Sequence, residues 1–416
     1  MYTKLLKVIG DSGLWANGGK ETHGFQLSPN VFQISEMQKR DLEELGLALY
    51  DSLLGLSHMA TIVFDPLLNY SGVWRRIRQV FSTGVPKSYL GLQGMNIRHI
   101  PKLLKVDLMI DQDGHFRIAE IDGHNKHGVG YSTLCRRFAQ AIEPNGKFLP
   151  GTAKRLADEV KSQGYNQLKI FYGDRERFYL PEFLIAKSEL ELNGIECVLI
   201  SEARANDQEL TTGLLLDLPF LHTRPHLYDA ILPAYKNGDV RFIIPPKPFL
   251  GSKGVLALLR NDGVDEDLES VLRTFIGRKS LQVIRRYVPE TRLVGSLGAS
   301  QSEVERMCQG RRYVLKRSIS SGMKGTIFSD DPSFTVALEQ AARSKLDWII
   351  QEEVQNQPQT FSCFVDKGMR QVTGSWFMRV IVQYVNRGLA DVVITARQDK
   401  SVHGAPDCIQ LGTVIK

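Results

Sequence analysis

The chain has 416 residues, 43% hydrophobic and 24% charged, with a formal net charge of +6. That is the make-up of a globular protein with two or three cored domains. No run of about 18 apolar residues exists, so no membrane span is expected. The mild positive charge suits anionic small molecules such as nucleotides, and there is no concentrated basic stripe of the kind nucleic acid demands.

The opening Met1-Tyr-Thr-Lys-Leu-Leu-Lys-Val-Ile-Gly10 has too short an apolar run for a signal peptide. The five cysteines (Cys135, Cys197, Cys308, Cys363, Cys408) are scattered without a C-x-x-C pair. We therefore expect reduced thiols in a cytoplasm and no zinc site. Residues 1–30 are Gly-rich and weakly patterned. From Ile34 a helical period begins: Ser35 can cap, and Leu42, Leu45, Leu49 and Leu53 recur on one face. Val73 to Phe81, with Arg75, Arg76 and Arg78, reads as a basic helix face, a feature more often solvated than functional.

Next come two runs with apolar alternation around Asp111-Gln-Asp-Gly114, a turn signal because Asp closes local turns and Gly tolerates positive φ. A hairpin turning there pairs Ile110 with His115, sets Asp107 opposite Ile118 and Lys105 opposite Glu120. Asp107, Glu120 and Asp122 then share one face, along with Met109, Phe116 and Ile118. Three acids converging at a sheet end repel one another unless a cation sits among them, and oxygen-only ligands suit Mg²⁺. A surface hairpin with solvated acids is the competing reading. Gly123-His-Asn-Lys-His-Gly128-Val-Gly130-Tyr131 follows as a loop. His124 and His127 there are candidate bases or substrate contacts, or ordinary solvated histidines.

Thr133 to Ile142 reads as a helix, broken at Pro144-Asn-Gly. From about residue 152 the pattern is α/β: helix Ala153 to Gln163, strand Gln167 to Tyr172, helix Glu176 to Leu192, strand Ile195 to Ile200. This is a β-α-β unit with a parallel pair, and Gly173-Asp174 lies at a carboxyl end, where such sheets bind ligands. Tyr228-Asp-Ala-Ile-Leu-Pro is expected to be a further strand. Gly251-Ser-Lys253-Gly254 opens a helix, an arrangement that attracts phosphate, although an exposed lysine on a capped helix fits too. Arg312 to Lys316 and Thr326 to Phe328 read as strands around Ser318-Ile-Ser-Ser-Gly322-Met-Lys324-Gly325, a small-residue loop able to close over phosphates. Asp347-Trp-Ile-Ile-Gln351-Glu352-Glu353-Val is a buried strand running into polar residues. Phe361 to Val365, Thr373 to Val385 and Leu389 to Ala396 continue as antiparallel strands. Arg379 lies within one strand and Arg397 ends another, each a partner for an acid or an oxyanion.

In this order the motifs resemble the ATP-grasp superfamily, in the branch of glutathionylspermidine synthase and the circularly permuted ATP-grasp proteins. The family pattern is basic-x-Asp on one strand and Glu-x-Asn on the next; here stand Lys105-Val-Asp107 and Glu120-Ile-Asp122. Asp122 replaces the usual Asn, and Lys105 a common Arg. Gly128-Val-Gly130-Tyr131 is similar to the branch's Ser-Gly-x-Gly-Tyr loop. The stretch from Tyr228 to Lys253-Gly-Val-Leu-Ala-Leu-Leu is similar to the approach to its first nucleotide lysine. Lys316 matches the second lysine, Gly322-x-x-Gly325 the mobile phosphate loop, and Gln351-Glu352 the adenine hinge.

The resemblance implies a mixed α/β (α+β) fold, ATP-grasp-like and circularly permuted, with a small parallel β-α-β domain. It divides the chain into residues 1–150 with the acidic hairpin, 151–240 as the small α/β domain, and 241–416 as the nucleotide-binding region. It implies an ADP-forming ATP-dependent C–N ligase that joins a carboxylate to an amine through an acyl phosphate, on an amino acid or short peptide. Asp107, Glu120 and Asp122 would hold Mg²⁺. Lys253, Lys316, Ser321, Gly322, Lys324, Gly325, Gln351 and Glu352 would hold ATP. Arg397, Arg379 and Lys105 would be catalytic. The expected partners are a small-molecule acid and amine, with no nucleic acid and no membrane. A small-molecule phosphotransferase and a non-catalytic nucleotide-binding module are the other readings.

Overall fold

The computed structural model describes residues 1–10, 14, 25–68, 71–124, 126–261, 264–295, 298–320, 325–345 and 348–416. Strands β1 (Phe32–Ile34), β2 (Leu103–Ile110) and β3 (Phe116–Asp122) come first. A parallel sheet follows from β4 (Gln167–Tyr172), β5 (Glu196–Ser201), β6 (Gly213–Leu215) and β7 (Val240–Phe242), in the order β5-β4-β6-β7. An antiparallel sheet, β10-β9-β11-β8, is built from β8 (Thr291–Val294), β9 (Tyr313–Arg317), β10 (Thr326–Phe328) and β11 (Trp348–Glu352). The chain then returns through β12 (Gln359–Val365), β13 (Arg370–Val385), β14 (Gly388–Arg397) and β15 (Ile409–Ile415). With β1–β3 these make a seven-stranded sheet, β1-β15-β14-β13-β2-β3, in which β12 pairs with the first half of β13.

Alternation along the seven-stranded sheet separates core from cavity. Val106, Leu108, Val380, Val382 and Ile394 point into the largest core cluster, against the helix Glu36–Val63. Ser35 caps that helix in a reciprocal capping box with Gln38. The expected leucine stripe, Leu42, Leu45, Leu49 and Leu53, is buried, and the Tyr384 hydroxyl donates to the Leu42 carbonyl at 2.8 Å. By length and composition this helix could cross a membrane, but 67% of its apolar window is buried within the molecule. The other face of the sheet carries Lys105, Asp107, Glu120, Asp122, Arg379 and Gln383 toward a cavity.

Three expected elements differ. Tyr228 to Pro233 is the start of a helix, Tyr228–Asn237, because Tyr228, Ile231, Ala234 and Tyr235 bury one helical face. The segment from Glu176 begins as a 3-10 turn, Asp174–Tyr179, and the α-helix is Leu180–Leu192 with Pro181 in its first turn. Val129, Gly130 and Tyr131 are the first turn of the helix Val129–Ile142, not loop. β4 and β5 pair in parallel as expected, and their register runs from Gln167↔Glu196 to Tyr172↔Ser201.

Candidate active site

The acidic hairpin forms, with a register that differs from the simple one. The Asp111 carboxylate accepts the backbone N–H groups of Asp113 and His115, and Gly114 takes φ +82° to close the turn. Ile110 therefore pairs with Phe116, and Leu108 with Ile118. Ala119 is then an extra residue, a bulge, after which Asp107 faces Glu120 and Lys105 faces Asp122. The bulge reverses the parity of the strand. Phe116 and Ile118 go to the core, while Glu120 and Asp122 go to the cavity. The acids and these two apolar residues occupy opposite faces; Met109 stays on the acidic one.

Each acid meets a base from a different element. Lys105 Nζ lies 2.9 Å from Asp122, Arg379 Nη1 lies 3.2 Å from Asp107 and Lys253 Nζ lies 2.8 Å from Glu120. Burial alone would raise the pKa of Asp122; Lys105 and the adjacent His124 outweigh it and hold the carboxyl below its usual range. Burial alone would lower the pKa of Lys105; Asp122 and Asp107 outweigh it in the other direction.

The β8–β11 sheet supplies the second lysine. Lys316 donates to the Gln351 side-chain oxygen at 2.6 Å and approaches the Ala119 carbonyl at 3.3 Å. Gln351, itself buried, is fixed by a bond to Thr291 Oγ1 at 3.1 Å. Burial, reinforced by the charge of Lys253, pushes the Lys316 pKa down to about 8. Lys253 opens the helix Lys253–Leu259, capped by Ser252, and is buried where an exposed lysine was the competing expectation. It also donates to the Ser320 carbonyl at 3.0 Å, which ties it to the loop after β9. Gly325 returns from that loop at φ +72°; Ser321, Gly322 and Lys324 lie outside the described residues. Glu352 lines the cavity at the end of β11, with residues 353–358 leading on to β12. Arg397 stands apart: it does not line the cavity, and its Nε donates to Asp407 at 2.8 Å.

The loops of the parallel sheet complete the cavity, which holds about 1250 Å³. The sequence marks the carboxyl end of β4 at Gly173-Asp174, yet Asp174 accepts a bond from Thr223, and it is Arg175 and Glu176 just beyond it that line the cavity. Glu176 joins Lys126, His127 and Asp217 in a cluster that no motif announced. Behind them Glu182 accepts the N–H groups of Gly128 and Gly130 at 3.0 and 2.7 Å. Burial raises its carboxyl to about 7 despite these bonds. The only signal for Glu176 and Asp217 was their place at the carboxyl ends of parallel strands.

The donor set fits a hard divalent cation. Asp107 Oδ1 and Asp122 Oδ1 are buried acceptors without a hydrogen-bond partner among the described residues, and a buried carboxylate oxygen left so is costly unless a cation or donor meets it. The fold is mixed α/β. It is similar to a glutathione synthetase-like effector from Globodera pallida, with a TM-score of 0.55 and 11% identity over 100% of this chain and 97% of that one. A structure provisionally named a gamma-glutamylcysteine synthetase, from Methylobacillus flagellatus KT, is more distant: TM-score 0.39, 10% identity, 75% of this chain and 80% of that one. No family model and no curated protein matches the sequence.

Proposed function

We propose that the protein is an ATP-dependent carboxylate–amine ligase, ADP-forming, of the glutathionylspermidine synthase-like, circularly permuted ATP-grasp branch. Its substrate would be an amino acid or short peptide activated as an acyl phosphate. One observation carries this reading: Lys253 and Lys316, from separate elements, converge on the hairpin that bears Asp107, Glu120 and Asp122. Two lysines beside three acids match what phosphoryl transfer from a nucleotide requires, namely positioned positive charge and metal ligands in one site.

In this reading Lys253 and Lys316 offset the charge of the phosphates, and Gln351 sets the direction of Lys316. Mg²⁺ held by Asp107, Glu120 and Asp122 would supply charge neutralisation at the transferred phosphoryl group. Glu352 and residues 353–358 offer backbone groups and a carboxylate to the nucleoside. Lys105 and Arg379, on the cavity face, steady the substrate carboxylate and the charge that develops on it. The five cysteines are all free thiols, which suits a cytoplasmic protein.

The experiment is calorimetry of ATP·Mg²⁺ binding. The unaltered protein is expected to bind, Lys316→Ala to lose nucleotide affinity, and Glu120→Ala to lose mainly the Mg²⁺ dependence. No binding by the unaltered protein would sink the proposal. A stable phosphorylated product formed without an amine would instead make the enzyme a phosphotransferase.

A further inference from the structure

Within the cavity wall formed by the parallel sheet, the cluster of Lys126, Glu176 and Asp217 sets two carboxylates against one ammonium. Glu176 and Asp217 stand in the loops after β4 and β6, at the carboxyl ends of parallel strands. Lys126, 1% exposed, is shared between them. Glu176 is saturated: one oxygen accepts from Lys126 at 2.9 Å and meets His127 Nε2 at 3.2 Å, and the other accepts from Lys126 at 3.1 Å and from the Gly173 N–H at 2.8 Å. Asp217 is not. Lys126 Nζ lies 3.3 Å from Oδ2 with hydrogen-bond geometry, and 3.1 Å from Oδ1 without it. Asp217 is 4% exposed and lines the cavity, so Oδ1 is a buried acceptor with no directed donor among the described residues.

Charge counting gives the same answer. Burial lowers the pKa of His127, which keeps its ring neutral, so two carboxylates share one ammonium. Burial also pushes the Asp217 carboxyl up to about 7, as happens to a carboxylate with too little positive charge around it. The same wall is aromatic, with Phe178, Tyr179 and Phe220 facing the cavity. Its loops are held in place: Glu202, fully buried, accepts the N–H groups of Asp174, His222, Thr223 and Arg224. A buried, preorganised carboxylate short of a cation, beside aromatic faces, is the chemistry that recognises an ammonium group.

We propose that this wall is the subsite for the amine substrate, which enters as a cationic ammonium and donates to Asp217 Oδ1. The identity of the substrate as the ligation partner rests on the ligase reading above; the ammonium subsite itself does not. Arg175 and His222 line the same wall, and a carboxylate ligand held by them is the outcome that would contradict it.

The test is saturation-transfer NMR with three probes of one chain length: n-butylammonium, butan-1-ol and butyrate. Saturating Mg²⁺ keeps the amine away from Asp107, Glu120 and Asp122. We expect n-butylammonium to bind and butan-1-ol not to; butyrate held on the Lys105 and Arg379 side of the cavity should be unaffected by Asp217→Asn. Asp217→Asn should weaken the ammonium probe by about tenfold or more, the loss of one charge-assisted bond. Phe220→Leu, which keeps an apolar side chain without the ring, should weaken it by about threefold and serves if the first variant does not fold. No n-butylammonium binding, ammonium binding untouched in both variants, or butyrate binding that Arg175→Ala abolishes would overturn the proposal. The titration needs no nucleotide, so its failure and a failure of ATP binding are read separately.

Discussion

Lys316 is where burial and chemistry conflict most clearly. Its side chain is half-buried, takes a neutral amide as its acceptor, and sits near a second lysine, so its pKa falls to about 8. The folded protein binds that proton less tightly than an unfolded chain does. Stability therefore rises with pH from about 8 toward the ordinary lysine value, and the full penalty is carried below 8. A polyphosphate at this position would reverse the balance and raise the pKa. Nucleotide affinity should then be flat below pH 8 and fall above it, by up to about tenfold per unit, because the bound state holds a proton that the free protein has lost. Lys316→Met should bind more weakly throughout and lack the break near pH 8. Calorimetry across pH 6.5 to 9.5 reads both; a break that persists in Lys316→Met assigns it to another group. At this scale the sequence was informative about residue type and poor about partners. Lys316 and the three acids could be picked out, while Gln351 as the holder of Lys316, and Lys126, Glu176 and Asp217, could not. Their roles depend on which distant strands lie side by side.

At the scale of elements, the hairpin turn was legible and its register was not. Asp111 and Gly114 carry a local mechanism that any reader of the sequence can apply, whereas Ala119 has no feature that marks a bulge. A regular strand would have put Phe116, Ile118, Glu120 and Asp122 on one face. The bulge resolves that contradiction, and the contradiction was itself the clue. A similar limit applies at Gly128-Val-Gly130-Tyr131, where glycines suggested a loop. Gly130 is a packing glycine in a helix: a Cβ there would lie 2.1 Å from the carbonyl oxygen of Glu182, on the helix Leu180–Leu192. Backbone stands on both sides, so neither can yield without separating the two helices. Gly130→Ala should cost about 1–3 kcal/mol or more, the range for forced overpacking, and should lengthen the bonds to Glu182. Chemical denaturation checks the first effect; a midpoint equal to that of the unaltered protein would remove Gly130 from the packing argument. Tyr228 to Pro233 went the other way: its apolar residues fit a strand locally, and tertiary burial of the i, i+3 face decided for helix.

Over the whole molecule, the order of motifs was the legible part and the closure of the large sheet was not. The parallel sheet and the β8–β11 sheet are each continuous in sequence, so local patterns marked β4, β5, β9, β10 and β11, while the short strands β6, β7 and β8 passed unread. The seven-stranded sheet joins residues 32–122 to residues 359–415, and β13 lies directly against β2 from Val380↔Leu108 to Val385↔Leu103. β15 passed unread because Gly412 and the polar Gln410 and Thr413 break its apolar run, although the strand is buried along its whole length. A cut after Pro246 therefore splits the sheet, not a linker. A fragment of residues 247–416 would leave β13 without β2. It would also expose Val380, Val382, Val392 and Ile394, which otherwise pack in one core with Leu42, Leu45, Leu49, Leu53 and Leu56. Burying five such leucines contributes about 2 kcal/mol each, together on the order of 10 kcal/mol, as much as the net stability of a domain. Neither 1–246 nor 247–416 should then unfold cooperatively alone, while co-expression should give a complex with a single transition. Thermal unfolding followed by near-ultraviolet circular dichroism reads this. A cooperative transition in 247–416 alone would mean that Lys253, Lys316 and the long β13–β14 hairpin belong to an autonomous unit, to which the acidic hairpin is only docked.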